Sequence, residues 1–531
     1  MNITVLISFV LCTLTVAFIS YLKTKKSSTR TTAGLFFADK ENSFWVVGGA
    51  LFLSNISANQ LIGENESIYI DNMSVMAWGV SSVFAMLIVA KYILPIYFKT
   101  NSMTIPDYLG KRFDGATKRL VSLIFLCSYL VNLLPAVLYG GAVAFTGMFE
   151  TGVLSEIDYW GSIWIMVWVI GIIGSIYSIY GGLRAITISD SVLSIGLLII
   201  GIALPYYGFS YLGGGDLMSG LDLVLSQRTE HLNSIGAKDS EIPFGTIFTG
   251  MLIMNLYYWG MEQYIVQQAM TAKNLKHSQK GMAVACVGKL LSPFLINIPG
   301  LIGVHLLTNL DNTAAVFPKV VGTMLPDLLI GLTATVVLGA AITTFNAGLN
   351  SSSTLFILNI YKPFLERKQK QVNDLELARK GKLFQIIISL VAMLTAPFIL
   401  FAESGFYTYI QQLSGMFCIP IFTVILLGFC TKTVTPFAAK SGMVLFIVAY
   451  VFGNYILEVK LHYLHLFGIL FLVTTVWMLI VTKYTPAQIK EIVVVDHTKR
   501  LQPWKYLNLS GLILIILMIA VFILFSPLGI A

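Results

Sequence analysis

Apolar runs of helical length recur along nearly the whole chain and are separated by short polar segments. A membrane-spanning helix needs roughly 20 mostly apolar residues, and the pattern predicts about fourteen spans of that kind. Their approximate limits are 3–22, 44–72, 76–97, 118–148, 158–180, 185–211, 244–270, 280–306, 327–360, 382–402, 405–430, 436–457, 462–482 and 505–527. We therefore predict an all-α polytopic membrane protein.

Two of the predicted spans have polar interiors. The second is apolar from Trp45 to Leu53 and then meets the polar stretch 54–60, and the seventh is apolar from Met251 to Met254 and then meets the stretch 255–262. Polar groups at this depth are tolerated where freed backbone lines a cavity. Because the two interruptions lie five spans apart, their helices run in opposite directions, as in an inverted repeat with a midplane transport site. The alternative is two ordinary helices whose polar residues bond to neighbouring helices.

Composition and charge exclude a soluble protein. Charged residues make up 11% of the chain and hydrophobic residues 56%, whereas soluble domains carry about 25% charged residues. The net charge of +8 does not indicate a nucleic-acid partner, because the charges lie in short loops. About 28 of the 34 Lys and Arg residues fall on one set of alternating loops. The positive-inside rule then predicts a multi-pass plasma (inner) membrane protein with both termini outside.

Polar side chains cluster within a few of these spans. Gln60 and Glu64 share a helix face, and Lys289 lies deep in the eighth span, where it must pair or reach oxygen acceptors. Amides, hydroxyls and an ammonium suit a hydroxyl-rich solute, because each sugar hydroxyl both donates and accepts. The aromatic ring of Tyr258 can stack on the apolar face of a sugar. For each residue alone, hydrogen bonding between helices is the alternative.

Thr343 and Thr344 are adjacent and follow small residues. Two hydroxyls, together with carbonyls freed by a broken helix, can hold Na⁺ without a fixed charge. The alternative is that both hydroxyls bond back to their own helix. Asp190 either pairs with Arg184 or a loop cation, or serves a second cation site.

Cysteine and histidine indicate neither an enzyme nor a resident cofactor. The five cysteines have no pairwise spacing, and the six histidines form no ligand pattern. There is no nucleophile–base pair or phosphate-binding loop, so we expect a transporter with Na⁺ as its coupling ion.

Several motifs carry a family resemblance. They are Ser54-Asn55-Ile56-Ser57-Ala58-Asn59-Gln60-Leu61-Ile62-Gly63, Tyr177-Ser178-Ile179-Tyr180-Gly181-Gly182-Leu183, Asn255-Leu256-Tyr257-Tyr258-Trp259-Gly260 and Gln279-Lys280-Gly281. The chain resembles the sodium:solute symporter family, and is similar over almost its full length to a bacterial member that carries galactose. This implies a LeuT-type core of two inverted five-helix repeats and Na⁺-driven alternating access. The implied segments are a first peripheral helix with its loop (1–43), the two repeats (44–212 and 244–431) with an extracellular loop between them (213–243), and C-terminal peripheral helices (432–531).

The resemblance also implies site residues. The sodium site would use the backbone carbonyls of Leu53, Ile56 and Ala340 with the hydroxyls of Thr343 and Thr344, where the similar protein has serines. The positions that match its sugar site are Gln60, Ser82, Asn255, Lys289 and Gln411, with Tyr258 as an inner stacking gate. Asn132 and Asp190 match further polar positions.

Two departures bear on the solute. Gly79, beside Trp78, stands where the similar protein has a substrate-binding glutamate, and Glu64 stands where it has a methionine. We hypothesise that Glu64 supplies to the solute site the carboxylate that is lost at position 79. The function predicted is Na⁺-coupled symport of a small polar solute, with a sugar expected. A proton-coupled symporter that uses Glu64 or Glu262, or a Na⁺ symporter of a polyol or an organic acid, remains open.

Overall fold

The computed structural model describes residues 3–24, 42–100, 104–148, 158–308, 310, 312–369, 373–401, 406–486 and 501–531. About 86% of the described residues are helical, and they contain no strand beyond one isolated bridge between Asn42 and Ala272. A high helix content is expected in a lipid bilayer, because a helix satisfies its own backbone hydrogen bonds where lipid offers no partners.

The helices follow the predicted apolar runs. In the first part of the chain they are α1 (Ile3–Thr24), α2 (Phe44–Asn55), α3 (Ala58–Ile70), α4 (Met73–Thr100), α5 (Ile105–Arg112), α6 (Gly115–Met148), α7 (Tyr159–Leu212) and α8 (Leu217–Ser226). In the second part they are α9 (Gly250–Met261), α10 (Gln263–Ala269), α11 (Leu275–Leu306), α12 (Val316–Met324), α13 (Asp327–Arg367), α14 (Asp374–Phe401), α15 (Phe406–Cys430), α16 (Pro436–Asn454), α17 (Tyr463–Tyr484) and α18 (Leu507–Leu524).

Of the described helices, eleven are long and apolar enough to cross a membrane, or twelve if the bent pair α2–α3 forms one span. The predicted number of fourteen would be reached only if α7 counts as two spans and the pair α9–α10 as one. Helices thus lie at every predicted position, while the count of fourteen and the division of the chain into five segments stay predictions.

The 54-residue helix α7 contains a sharp kink at Gly182, whose φ of 62° and ψ of −174° are not helical. Glycine reaches this conformation because it lacks a Cβ atom. The kink falls between the predicted limits 158–180 and 185–211, so a backbone break separates what the hydropathy pattern treats as two spans.

Both polar interruptions contain breaks, and the second break lies at the end of its polar stretch. Helices α2 and α3 meet at an angle of 50° at Ile56 and Ser57. Helix α9 instead runs unbroken through Asn255 and ends at Met261, and the chain breaks at Glu262 (φ −69°, ψ 122°). The break therefore lies at the end of the polar stretch 255–262 and not at its start, where the Asn255 amide bonds to Ser81 on α4.

Burial separates core helices from peripheral ones. In α4, 78% of the most apolar 18-residue window is buried, whereas in α1 and α18 only 17% is. Large apolar side chains on these outer helices, such as Leu14 and Ile516, are more than half exposed. An exposed apolar shell around a polar centre is the arrangement that a lipid solvent requires.

Candidate functional site

A cavity of about 170 Å³ lies at the break between α2 and α3. Its wall is made by residues of α2, α3, α4, α6, α9, α10, α11, α13 and α15. It is lined by Ser54, Asn55, Ser57, Asn59, Gln60, Trp78, Ser128, Tyr129, Asn132, Leu133, Ala136, Val137, Met254, Asn255, Tyr257, Tyr258, Trp259, Glu262, Tyr264, Lys289, Thr344, Tyr407, Ile410, Gln411, Ser414 and Cys418. The volume is below the range of about 300–1,000 Å³ typical of drug-sized ligands, so it suits a small solute.

The wall brings together most of the side chains predicted to bind solute. Gln60, Asn255, Tyr258, Lys289 and Gln411 all line it. Glu64 and Ser82 are fully buried but are not among the lining residues. Of the predicted sodium ligands, Thr344 lines the cavity, while Leu53, Ile56, Ala340 and Thr343 are buried behind the wall.

Glu64 lies behind the cavity wall and contacts Gln60, which lines it. Its carboxylate accepts a hydrogen bond from the Gln60 amide nitrogen and a second, of 3.0 Å, from Asn297 Nδ2. The Gln60 carbonyl oxygen in turn accepts from Lys289 Nζ at 3.3 Å. The carboxylate also attracts the Lys289 ammonium electrostatically, which compensates a charge that is costly to bury alone. Glu64 thereby fixes which way the Gln60 amide faces.

Gly79 packs closely against the helix that carries this lysine. A Cβ atom at position 79 would lie 3.9 Å from Lys289 Nζ and 2.8 Å from Ser292 Oγ. Any longer side chain there would therefore enter the space beside the ammonium. Ser82 turns away from the cavity, because its hydroxyl donates to the Gly79 carbonyl at 2.6 Å.

A buried carboxylate lies at the break of the second span. Ser54 Oγ donates to Asp190 Oδ2 at 2.9 Å, and Gln268 Nε2 donates to the same oxygen at 3.2 Å. The second carboxylate oxygen has no hydrogen-bond partner, and the side chain lies beside the Thr343 hydroxyl. Asp190 thus connects the end of α2 to α13. Its hydrogen bonds to Ser54 and Gln268 are a different arrangement from the expected pairing with Arg184.

The two adjacent threonines behave differently. Thr343 Oγ1 donates to the Ala340 carbonyl at 3.3 Å, which is the back-bonding alternative. Thr344 Oγ1 is buried, lines the cavity and has no hydrogen-bond partner. A buried hydroxyl without a partner is uncommon in folded proteins, and its oxygen is available to serve as a ligand.

Tyrosines surround the second break. The Tyr129 hydroxyl donates to Glu262, and Tyr257 also bonds to this carboxylate. Tyr264 donates to the Tyr258 hydroxyl at 2.8 Å. Sequence reasoning missed Tyr129, whose signal was its position one helical turn before the polar Asn132.

Tyr407 separates the cavity from a second, larger recess of about 750 Å³, because it lines both. Its ring packs on Gly63, where an added Cβ atom would come within 2.5 Å of the ring. The recess is lined by Glu66, Ile70, Asp71, Asp239, Glu241, Tyr407, Thr408, Gln412, Asn454, Leu461, His462 and Tyr463. Burial lowers the pKa of His462 below its usual value, against the hydrogen bond that its ring makes to the Glu241 carbonyl.

A polytopic helical bundle with a small polar cavity at a broken helix defines the class of secondary transporters. A sequence model of the sodium:solute symporter family matches residues 35–445. The chain belongs to the sodium:solute symporter family.

Similar proteins match this chain over most of its length and over most of their own. The symporter YidK of Escherichia coli (strain K12) is 35% identical over 526 residues, which cover 98% of this chain and 91% of YidK. The sodium/glucose cotransporter of Vibrio parahaemolyticus is 29% identical over 443 residues, 79% of each chain. A substrate-bound, outward-open structure of a Na⁺-coupled sialic acid symporter superposes with a TM-score of 0.78 at 17% identity, covering 92% of this chain and 99% of that one.

These matches settle the coarse identity. The fold is of the LeuT type, and the protein is a multi-pass membrane protein and a Na⁺-coupled symporter of a small-molecule solute, not an enzyme.

Proposed function

We propose that the protein carries a neutral sugar, or a polyol of similar size, together with Na⁺ into the cell. The observation that carries this proposal is that one cavity wall contains both groups suited to a hydroxylated solute and an oxygen suited to Na⁺. Amides and an ammonium line one part, and the partnerless Thr344 hydroxyl lies beside the helix break.

Hydrogen-bonding capacity supports a hydroxylated solute. Asn255 uses its amide nitrogen on Ser81 at 3.1 Å, which leaves its carbonyl oxygen to accept from a solute hydroxyl. Lys289 spends one proton on Gln60 and has two more to donate. Because Glu64 compensates the lysine charge from behind the wall, the site favours a neutral solute over an organic acid.

The proposed cation site combines the carbonyls of Leu53, Ile56 and Ala340 with the hydroxyls of Thr343 and Thr344. Oxygen ligands of this kind suit a hard cation such as Na⁺. The adjacent Asp190 adds a carboxylate whose second oxygen has no hydrogen-bond partner. A carboxylate at this place would stabilise a nearby cation such as Na⁺.

Alternating access would use two tyrosines as gates, Tyr407 towards the 750 Å³ recess and Tyr258 on the side of the second break. Na⁺ entering down a potential of about 100 mV releases roughly 2.3 kcal/mol, and a tenfold gradient adds about 1.4 kcal/mol. One ion could then sustain a solute ratio of up to about 500-fold. Linkage requires Na⁺ and the solute to raise each other's affinity by the same factor.

The orientation is proposed from charge. With the Lys- and Arg-rich loops in the cytoplasm, both termini lie outside the plasma membrane, and the acidic recess opens outwards. Cysteine labelling with a membrane-impermeant maleimide checks this: a cysteine introduced at Lys238 should react in intact cells, and one at Lys432 should react only after permeabilisation.

Proton coupling is the second candidate, and the buried carboxylates Glu64 and Glu262 favour it. Uptake of a labelled sugar and polyol panel into proteoliposomes separates the two. The proposal expects accumulation only with an inward Na⁺ gradient. Accumulation driven by a proton gradient without Na⁺ would replace it with the proton mechanism, and uptake of organic acids alone would overturn the solute class.

A further inference from the structure

A groove of about 850 Å³ runs down the outside of the bundle between α1, α2, the second half of α7, and α11. Its walls are mostly apolar: Ile195 and Leu198 come from α7, and Val287 and Leu291 from α11. Each of these four side chains is more than a third exposed. The groove is separate from the solute cavity, and the transport mechanism above does not use it.

Close packing of α2 on α11 forms the floor. A Cβ atom at Gly288 would come within 2.3 Å of the Phe52 ring, and one at Gly48 within 2.7 Å of Val284. Side chains at these positions would force the two helices apart. The glycines therefore make the floor smooth and leave room above it for a narrow, flexible chain.

The length of the groove matches one leaflet of a bilayer. From Arg184 to Leu198 the α7 wall rises about 21 Å, and from Phe44 to Phe52 the α2 wall rises about 12 Å, at 1.5 Å per residue. Half of the hydrocarbon core is about 15 Å thick. An acyl chain lying along the groove would reach from the membrane surface to the midplane.

The two ends differ in chemistry. One end carries Lys23, Asn42, Ser43, Trp45 and Arg184, whereas the other is apolar. Two basic side chains, polar donors and an exposed tryptophan are the groups that recognise a phosphate at the membrane interface. The basic end also lies on the side of the Lys- and Arg-rich loops, where anionic lipid attracts cationic segments.

We propose that this groove is a binding site for one anionic phospholipid of the phosphatidylglycerol type. The phosphate binds at Lys23 and Arg184, and one acyl chain lies on Phe52 between α7 and α11. A lipid bound there supports α2 on the side facing away from the solute cavity, immediately before its break.

Native mass spectrometry of the delipidated protein tests the site. Phosphatidylglycerol and phosphatidylethanolamine with identical acyl chains are titrated against the wild type and three variants. The double variant Lys23→Gln/Arg184→Gln removes the basic end, and Val287→Trp fills the groove. Lys432→Gln is the matched control, because Lys432 is an exposed cation outside the groove.

The wild type should bind one phosphatidylglycerol in preference to phosphatidylethanolamine. The double variant should lose roughly 30-fold in phosphatidylglycerol affinity, the scale expected for two basic residues near an anionic surface. Val287→Trp should weaken both lipids, and Lys432→Gln neither. Size-exclusion profiles and solute uptake show whether each variant folds.

Three results would overturn the proposal. They are equal affinity of the wild type for both lipids, an unchanged phosphatidylglycerol affinity in a folded double variant, or no binding of either added lipid by the wild type. The last would make residues 25–41 of this chain the favoured occupant, because they join the two helices at the basic end.

Discussion

Lys289 Nζ donates to the carbonyl oxygen of Gln60 at 3.3 Å, and the amide nitrogen of the same Gln60 donates to Glu64. This relationship couples a cation on the cavity wall to a buried carboxylate that does not line the cavity. It also revises the hypothesis that Glu64 replaces the family's glutamate directly: the carboxylate is present, but it acts through the orientation of an amide.

We expect Glu64→Gln to weaken solute uptake sharply. The change leaves the buried ammonium without a nearby counter-charge and frees the Gln60 amide to turn, at a cost of about 1.5–3 kcal/mol, or roughly 10- to 150-fold in KM. Radiolabelled uptake in proteoliposomes measures it, with the exposed Glu230→Gln as control. Near-normal uptake by Glu64→Gln would rule out any role for this carboxylate in the site.

Introducing Gly79→Glu into the wild type should impair uptake, because a Cβ atom there already comes within 2.8 Å of Ser292 Oγ and the new carboxylate would compete with Gln60 for Lys289. In the Glu64→Gln background the same change should instead restore part of the lost uptake, since the lysine regains a partner. The measurement is a double-mutant cycle on KM. A double variant no better than Glu64→Gln alone would show that the two positions do not substitute for each other.

Thr344→Ala should raise the Na⁺ concentration for half-maximal uptake about tenfold, on the scale of one charge-assisted oxygen contact. Thr344→Ser, which keeps the hydroxyl, should behave like the wild type. Thr343→Ala should have a smaller effect if its bond to the Ala340 carbonyl persists in the Na⁺-bound state. An unchanged Na⁺ dependence in Thr344→Ala would remove this residue from the cation site.

Asp107, outside the membrane-spanning helices, gives a pH-dependent prediction. Burial raises its pKa, but Lys118 at 3.0 Å and Lys111 at 3.1 Å outweigh burial and hold the pKa below 3.8. A carboxylate with a lowered pKa stabilises the fold above pH 3.8, and that stability is lost as the pH falls through the folded-state pKa. At pH 7, Asp107→Asn should therefore cost about 1 kcal/mol. The difference in Tm from the wild type should narrow below pH 3.8; a constant difference would contradict the ion-pair explanation.

The sequence predicted the helices well because lipid imposes length and apolar character on each one. It also located the break at Ile56, because the polar stretch 54–60 would be costly in an unbroken helix that faces lipid. It placed the second break only within the polar stretch 255–262, because Asn255 and Glu262 are both polar and the partner Ser81 on another helix is what shows that Asn255 remains helical.

The cavity wall was predictable only in part, because contacts between distant helices decide which polar side chains line it. Gln60, Lys289 and Gln411 were found as polar groups in apolar spans. The position of Glu64 behind the wall depends on Asn297, which lies 233 residues away along the chain. Periodicity within one helix assigns a face, but it does not show which neighbouring helix covers that face.

The central claim is that oxygens at the break of α2 hold Na⁺ and thereby prepare the adjoining cavity for solute. Isothermal titration of a transported sugar, with and without Na⁺, tests it most directly when the wild type is compared with Thr344→Ala and Thr344→Ser. We predict that Na⁺ tightens sugar binding in the wild type and in Thr344→Ser, and that most of this effect is lost in Thr344→Ala. Equal sugar affinity with and without Na⁺ in the wild type would contradict the account.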